Sequence, residues 1–260
     1  MRIVRFATGR KVKYGVLTEN DIREVRGSPF GYFKRCGNSF KLEGSICKLD
    51  EVRSLAPCLP SKIICVGLNY RSHAEETKLP IPSVPLIFLK PSTAVIGPDD
   101  RIVLPHHSRR VDYEGELAVV IGKKAKDASE GEAREYVMGY TCFNDVSERC
   151  VQREDGQWTR AKGYDTFAPI GPCIETEVDP DDLKIETYLN GELRQCASTS
   201  DLIFGVSKLI SFISSVMTLL PGDVIATGTP SGIGCVNPGD IVEVRIEGIG
   251  TLRNFVASQE

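Results

Sequence analysis

The sequence predicts a strand-dominated fold built largely from antiparallel pairs, with one long helix in its core. Three observations predict it. Short apolar-rich segments bounded by turn residues occur at both ends of the chain, at 2–7, 14–18 and 22–25 and again at 241–246 and 251–256. The dipeptide Asn190-Gly191 joins strand-like segments 185–189 and 192–195, the strongest short-range signal for a type I′ hairpin. Over 202–219 the apolar residues Leu202, Val206, Leu209, Ile213, Val216 and Leu220 step by three and four, a helical stripe turned to a core.

Composition narrows the function classes. A chain of 260 residues can hold one large domain and a small appendage. It is 41% hydrophobic and 26% charged, ordinary for a globular protein, and its net charge of -3 comes without a basic stripe, so no nucleic acid partner is expected. The short charged start, Met1-Arg2-Ile3-Val4-Arg5-Phe6, is not a signal peptide. The most apolar segment, 202–220, contains Lys208 and several serines, so it reads as a core helix and not a membrane span. Nine cysteines without a C-x-x-C pair argue against a zinc knuckle or a secreted disulfide framework; Cys65 and Cys142 sit in apolar runs as small core residues, and a reducing cytoplasm fits.

In chain order, residues 1–25 read as a small antiparallel meander, and 28–50 are weakly patterned and carry no chemistry. Two prolines in Ala56-Pro57-Cys58-Leu59-Pro60-Ser61 mark a boundary, dividing the chain into a β-rich unit at 1–55 and a larger one at 56–260. An apolar strand over 62–67 runs into Leu68-Asn69-Tyr70-Arg71-Ser72-His73-Ala74-Glu75-Glu76, where Ser72 is a candidate cap for a short helix. His73 and Glu76 then share one face, and a carboxylate beside an imidazole raises its pKa and fixes its tautomer. Taken alone, the pair reads more simply as a surface ion pair. Pro80, Pro82 and Pro85 stop the helix and mark a mobile, lid-like loop before strands at 85–90 and 101–104. His106 and His107 fall in a polar loop; adjacent histidines point apart on an extended chain and make a poor metal pair.

Residues 111–122, V-D-Y-E-G-E-L-A-V-V-I-G, read as a strand covered on both sides. Tyr113, Leu117, Val119 and Ile121 point one way; Asp112, Glu114 and Glu116 point the other, leading into Ala118 and Val120. Carboxylates crowded on a half-buried face repel one another and resist desolvation, so a positive group belongs there, and a hard divalent cation is the natural one. The alternative, a solvated acidic strand end, conflicts with the apolar run after Glu116. A short helix over 130–137 and a strand over 140–147 follow. Asp145 becomes a third oxygen ligand if that strand lies beside 111–122, and otherwise caps a helix. The Gly- and Pro-punctuated loop at 158–172 carries Lys162 beside aromatics, either to offset the acidic charge and grip a substrate oxygen or simply as an exposed lysine. After a strand at 224–226, Thr227-Gly228-Thr229-Pro230-Ser231-Gly232-Ile233-Gly234 allows close backbone approach to a ligand, and Thr229 can offer its hydroxyl and N–H to a carboxylate. No G-K-[ST] follows, which excludes a nucleotide phosphate loop.

Five segments in order, Gly67-Leu68-Asn69-Tyr70 with His73 and Glu76, Asp112-Tyr113-Glu114-Gly115-Glu116, Asn144-Asp145, Lys162-Gly163 with Asp165-Thr166, and Thr227-Gly228-Thr229-Pro230, resemble the fumarylacetoacetate hydrolase family over residues 60–257. E-x-E alone is weak; the ordered set is specific. The resemblance implies an α+β fold, a mixed β-sandwich roll preceded by the small N-terminal domain of prokaryotic members, assembled as a homodimer. It implies that Glu114, Glu116 and Asp145 bind Mg²⁺ or Mn²⁺ (Ca²⁺ in some members), with Lys162 beside the metal. His73 and Glu76 become an acid–base dyad on a lid, and Thr229, with Gly228 and Tyr70, holds a small keto-acid substrate. The implied reaction is acylpyruvate-type C–C hydrolysis through an enolate held at the metal. The same parts serve an oxaloacetate-type decarboxylase or a 2-hydroxyhepta-2,4-diene-1,7-dioate-type isomerase or tautomerase, with specificity set by residues 75–85 and the loop around Trp158. An inactive metal-binding scaffold is the outside reading, which the presence of His73, Glu76 and Lys162 opposes. A thiol enzyme is another, opposed by the lack of a histidine near any cysteine in sequence.

Overall fold

The computed structural model describes residues 1–36 and 40–259, so part of the weakly patterned stretch, residues 37–39, lies outside the described residues, as does residue 260. Strands β1 (Arg2–Thr8), β2 (Lys11–Thr18), β3 (Asp21–Val25) and β4 (Leu42–Lys48) form the expected antiparallel meander, with α1 (Pro29–Cys36) between β3 and β4 and β5 (Arg53–Leu55) against β1. The helix α1 had no sequence signal. Its Phe33 reaches Gly122, where an added Cβ would lie 2.2 Å from the ring.

The meander does not stand apart. β1 pairs with β14 (Ala168–Glu175) through Arg2↔Glu175 and Ile3↔Ile174. From there the sheet continues through β12 (Val137–Asn144), β11 (Gly115–Ile121), β17 (Val224–Ala226) and β6 (Ile63–Gly67) to the edge strand β7 (Leu86–Lys90), while the short β8 (Val95–Ile96) joins β14. A second sheet, in the order β16 (Glu192–Ser198), β15 (Lys184–Leu189), β19 (Ile241–Ile246), β20 (Gly250–Ser258) and β9 (Arg101–Leu104), packs across it. A third, small sheet comprises β13 (Ser147–Glu148), β10 (Val111–Tyr113) and β18 (Gly234–Cys235). This is a sheet-dominated α+β fold.

Period-2 alternation accounts for the layering. Leu117, Val119 and Ile121 of β11 enter one core, with Ile185, Val244, Leu252 and helix α5 (Val206–Val216); Ala118 and Val120 enter a second core with Ile63, Cys65 and Phe143. The hairpin turn has φ of 54° at Asn190 and 80° at Gly191, as a type I′ turn requires.

Four elements differ from the sequence expectation. The strand over 111–122 is broken at Glu114, where the chain leaves the small sheet and enters the large one. The helix expected over 130–137 is a single 3-10 turn, Ala133–Tyr136, because β12 already begins at Val137. The loop at 158–172 contains a helical turn, α4 (Thr159–Lys162), and the start of β14. The long helix is α5 alone: Gly205 caps it, Met217 is extended, and Val216 and Leu220 are 56% and 40% exposed instead of in the core stripe. Among the described residues no helix is long and apolar enough to cross a membrane.

Candidate active site

The break at Glu114 builds the site. Gly115 allows it: an added Cβ there would lie 2.0 Å from Oγ1 of Thr187 on β15, so only glycine lets the chain pass that close to the hairpin. The antiparallel register Gly115↔Asn144 brings Asp145, just past the end of β12, beside the crossing. The Asp145 N–H donates to the Glu114 carbonyl at 2.8 Å, and the Glu114 N–H donates to Oδ1 of Asn144 at 2.9 Å. Candidate ligand oxygens of Glu114, Glu116 and Asp145 consequently lie within 4.8 Å of one another, and all three residues are buried. The condition set by the sequence, that Asp145 lie beside the acidic strand, is met.

Cations crowd around this cluster, unevenly. Lys162, at the end of α4 and only 2% exposed, donates to Oε2 of Glu114 at 2.9 Å and Oδ2 of Asp145 at 2.7 Å, with its ammonium 5.1 Å from the Phe88 ring centre. It is not an exposed lysine. Lys90, fully enclosed at the end of β7, donates to Oδ1 of Asp145 at 2.5 Å and to the Val146 carbonyl at 3.0 Å. Arg149, from α3 (Arg149–Asp155), donates to Oε1 of Glu114, to Oδ2 of Asp112 at 2.9 Å and to Oε1 of Gln152 at 2.8 Å. Glu116 accepts the Gly228 N–H at 2.8 Å, and no ion pair reaches it among the described residues.

The electrostatics follow. Burial raises the Glu114 carboxyl, but Arg149 and Lys162 outweigh it and hold the group at about 2. Burial pushes Glu116 well above the usual carboxylate range, and the charges of Asp145 and Glu114 push the same way. Burial lowers Lys162, but Asp145 and Glu114 prevail and keep it firmly protonated.

The loop after β17 closes one side. Gly228 has φ of +101°, and an added Cβ would lie 2.8 Å from Cβ of Asn69. Asn69 is itself fixed, donating to the Thr227 carbonyl at 2.7 Å and the Phe204 carbonyl at 3.0 Å. Thr229 donates its hydroxyl to the Gly115 carbonyl at 2.9 Å and accepts from Nε2 of Gln195 at 2.8 Å. Gln195, on β16, also takes the Gly115 N–H at 3.0 Å and donates to the Pro230 carbonyl at 2.8 Å.

His73 and Glu76 stand on α2 (Arg71–Thr77), with Nδ1 of His73 2.9 Å from Oε2 of Glu76. Oε1 of Glu76 accepts the Gly232 N–H at 3.1 Å, so the helix is latched to the same loop that carries Thr229. Ser72 does not cap α2; Tyr70 occupies the cap position, and the Ser72 hydroxyl and N–H both donate to Oδ2 of Asp201, at 2.6 and 3.0 Å. A cavity of about 170 Å³ is lined by His73, Glu114, Glu116, Asp145, Lys162 and Thr229, together with Arg149, Gln152 and an apolar wall. Gly228 supports this cavity from behind through its N–H to Glu116. Tyr70 is not brought to it: its ring is fully buried in the main core and its hydroxyl has no partner. His106 and His107 stay in their loop, where His107 meets the Tyr164 hydroxyl at 3.0 Å.

Lys90, Arg149 and Gln195 escaped the sequence reading. A signal existed for Lys90: it ends an apolar strand two residues after Phe88, on the face period 2 assigns to the interior. Arg149 and Gln195 carry no such mark. The described cysteines are unpaired; burial pushes Cys58 and Cys173 up to about 12, which makes them poor nucleophiles.

The family described as "Fumarylacetoacetate (FAA) hydrolase C-terminal" matches residues 62–257, and the family described as "Rv2993c-like, N-terminal" matches residues 1–57. Protein Rv2993c of Mycobacterium tuberculosis is 47% identical over 98% of each chain. The mitochondrial oxaloacetate tautomerase FAHD2B of Bos taurus is 43% identical over 80% of this chain and 70% of its own. Among solved structures, 5-carboxymethyl-2-hydroxymuconate delta-isomerase of Mycobacterium smegmatis superposes over the whole of both chains with a TM-score of 0.92 at 45% identity. Maleylpyruvate hydrolase of Sphingobium, in complex with manganese(II) and pyruvate, does so with a TM-score of 0.84 at 31% identity.

Proposed function

This chain belongs to the fumarylacetoacetate hydrolase family, and on that premise we propose that it is a divalent-metal-dependent enzyme that hydrolyses a C–C bond in small acylpyruvate-type 2-oxo acids. The observation that carries the reading is the buried Glu114–Glu116–Asp145 cluster opening into the same cavity as His73, whose Nδ1 is held by Glu76.

The donor set fits a hard cation. All three groups are carboxylates, which suit Mg²⁺ or Mn²⁺ and admit Ca²⁺. Glu116, pushed towards its protonated form by burial and by the charges of Asp145 and Glu114, is the group such an ion would relieve. When bound, the cation supplies a Lewis acid that polarises the substrate's oxygens.

The remaining work falls to the chain's own residues. Lys162 places a fixed positive charge at the cavity wall, where negative charge develops as the C–C bond breaks. Glu76 holds Nδ1 of His73, leaving Nε2 to take a proton from water. The water oxygen bonds to the distal acyl carbon, the bond from that carbon to C3 breaks, and its electron pair passes to the pyruvate fragment as an enolate. The proton held by His73 then returns to C3. Thr229, clamped between Gly115 and Gln195, orients the substrate.

Similarity to an oxaloacetate tautomerase and a muconate isomerase favours a second reading, in which His73 moves a proton between carbon and oxygen and no water attacks. One panel separates the two. Acetylpyruvate, oxaloacetate and 2-hydroxyhepta-2,4-diene-1,7-dioate are offered to Mn²⁺-loaded protein and to a chelated control, following enol absorbance and pyruvate. Chelator-sensitive pyruvate from acetylpyruvate is the expected result. Loss of enol absorbance without cleavage selects the tautomerase or isomerase reading, and pyruvate from oxaloacetate alone a decarboxylase.

A further inference from the structure

The cavity is charged at one end only. Its cationic residues are Lys162 and Arg149, and both are engaged: Lys162 on Glu114 and Asp145, Arg149 on Glu114, Asp112 and Gln152. His73 is engaged by Glu76. Apart from these groups, Gln152 and Thr229, the side chains of the lining are apolar: Val66, Leu68, Leu79, Phe88 and Trp158. Trp158 is seated firmly. Its indole lies so close over Gly67 that an added Cβ there would be 2.8 Å from Cζ3, and it meets the Phe88 ring edge-on at 5.1 Å. The same Phe88 ring faces the Lys162 ammonium, so the apolar wall begins where the charged end stops.

Lys90 is held by Asp145, Lys162 by Glu114 and Asp145, and Arg149 by Glu114 and Asp112, so among the described residues no cation of the lining is left over for a distal carboxylate. A second carboxylate at the end of the substrate would press against Trp158 and Leu79, losing water there without gaining a cationic partner.

We propose that this cavity selects a 2-oxo acid with a single carboxylate and a short apolar tail, and that Trp158 is the residue that sets the choice; the inference rests on the function proposed above. Leu79, 56% exposed on the segment after α2, completes the wall when a tail lies against it. Each methylene buried there strengthens binding about fourfold until the cavity is full.

Calorimetry on Mn²⁺-loaded protein tests this without requiring turnover. The probes are 2-oxopentanoate and 2-oxoglutarate, which share a five-carbon chain and differ by a methyl against a carboxylate at its end. The expected result is at least about tenfold tighter binding of 2-oxopentanoate. Trp158→Ala should bring the two within about twofold while Mn²⁺ affinity holds, and Trp158→Arg should reverse the preference. Equal or tighter binding of 2-oxoglutarate to the unaltered protein overturns the inference and leaves the function standing. Failure of the Mn²⁺-loaded protein to bind either acid overturns both.

Discussion

Glu116 is the carboxylate whose environment changes most with a bound cation. Burial and two neighbouring carboxylates raise its pKa, while Glu114 is held at about 2 by Arg149 and Lys162. In the metal-free protein the stabilising contribution of Glu116 is present below the unfolded-state value of about 4.3 and is lost as pH rises through the raised folded value. A cation must displace the proton, so Mn²⁺ affinity should rise with pH above the usual carboxylate range and binding should release protons, measurable by calorimetry in buffers of different ionisation heat. An affinity flat with pH and no proton release would remove Glu116 from the ligand set. His73 touches none of the three carboxylates, so His73→Gln should lower kcat by roughly 10²–10⁴-fold and leave Mn²⁺ affinity within about twofold. Retained turnover with every substrate of the panel would end the base assignment. At this scale much of the site was legible: acids at alternate positions before an apolar run demand compensation wherever they fold. The compensating Arg149 was not, because what fixes its place is the pairing of β13 with β10, which sets it beside Asp112, a tertiary fact with no local period.

The elements position the site through the β15–β16 hairpin, which backs the crossing at Gly115 with Thr187 and clamps the Thr229 loop with Gln195. Gly115→Ala should cost about 1–3 kcal/mol in urea unfolding, since Thr187 has no room to yield without moving its strand. Gln195→Ala leaves the Gly115 N–H and the Pro230 carbonyl unpartnered inside the protein, for about 1–3 kcal/mol each. It should lower kcat more than it weakens Mn²⁺ binding, because the loop it releases carries Thr229 and, through Gly232, the latch to Glu76. Equal losses in both would mean that Gln195 serves the acidic cluster directly. The hairpin itself was plain from Asn190-Gly191, a pair that adopts the two positive φ values at little cost. Its part in the site was hidden, since a strand's register shows which face a residue takes and not what the facing sheet brings there. The turn α4 was hidden for another reason: four residues between Trp158 and Gly163 are too few to display a helical period.

For the whole molecule, the question is whether residues 1–55 fold with the rest. Among the described residues none of 1–55 lines the cavity, and the proline-marked boundary at 56–61 invites a separate unit. Yet β1 is hydrogen-bonded to β14 within one continuous sheet, the N-terminal ammonium pairs with Glu175, and Val4, Phe6 and Ile22 lie in the same core as Leu117 and Val119 of the ligand-bearing strand. Removing the meander would strip a neighbour from β14, itself the neighbour of β12, which ends at Asp145. A shared core couples stabilities, so heating should give one transition for the entire chain. Phe6, 1% exposed, should cost about 3–5 kcal/mol when replaced by alanine and shift that transition as a whole. Mn²⁺ at about 100 times its dissociation constant should raise the same transition by about 2.7 kcal/mol, in Phe6→Ala as in the unaltered chain, because the ion binds only the folded state. Scanning calorimetry of both proteins, with Mn²⁺ and with chelator, distinguishes the cases. Two transitions, with Phe6→Ala lowering one and Mn²⁺ raising the other, would show that the meander folds on its own and only leans on the catalytic sheet. One transition moved by both makes the N-terminal strands part of what holds β14, and through β12 holds Asp145, in place.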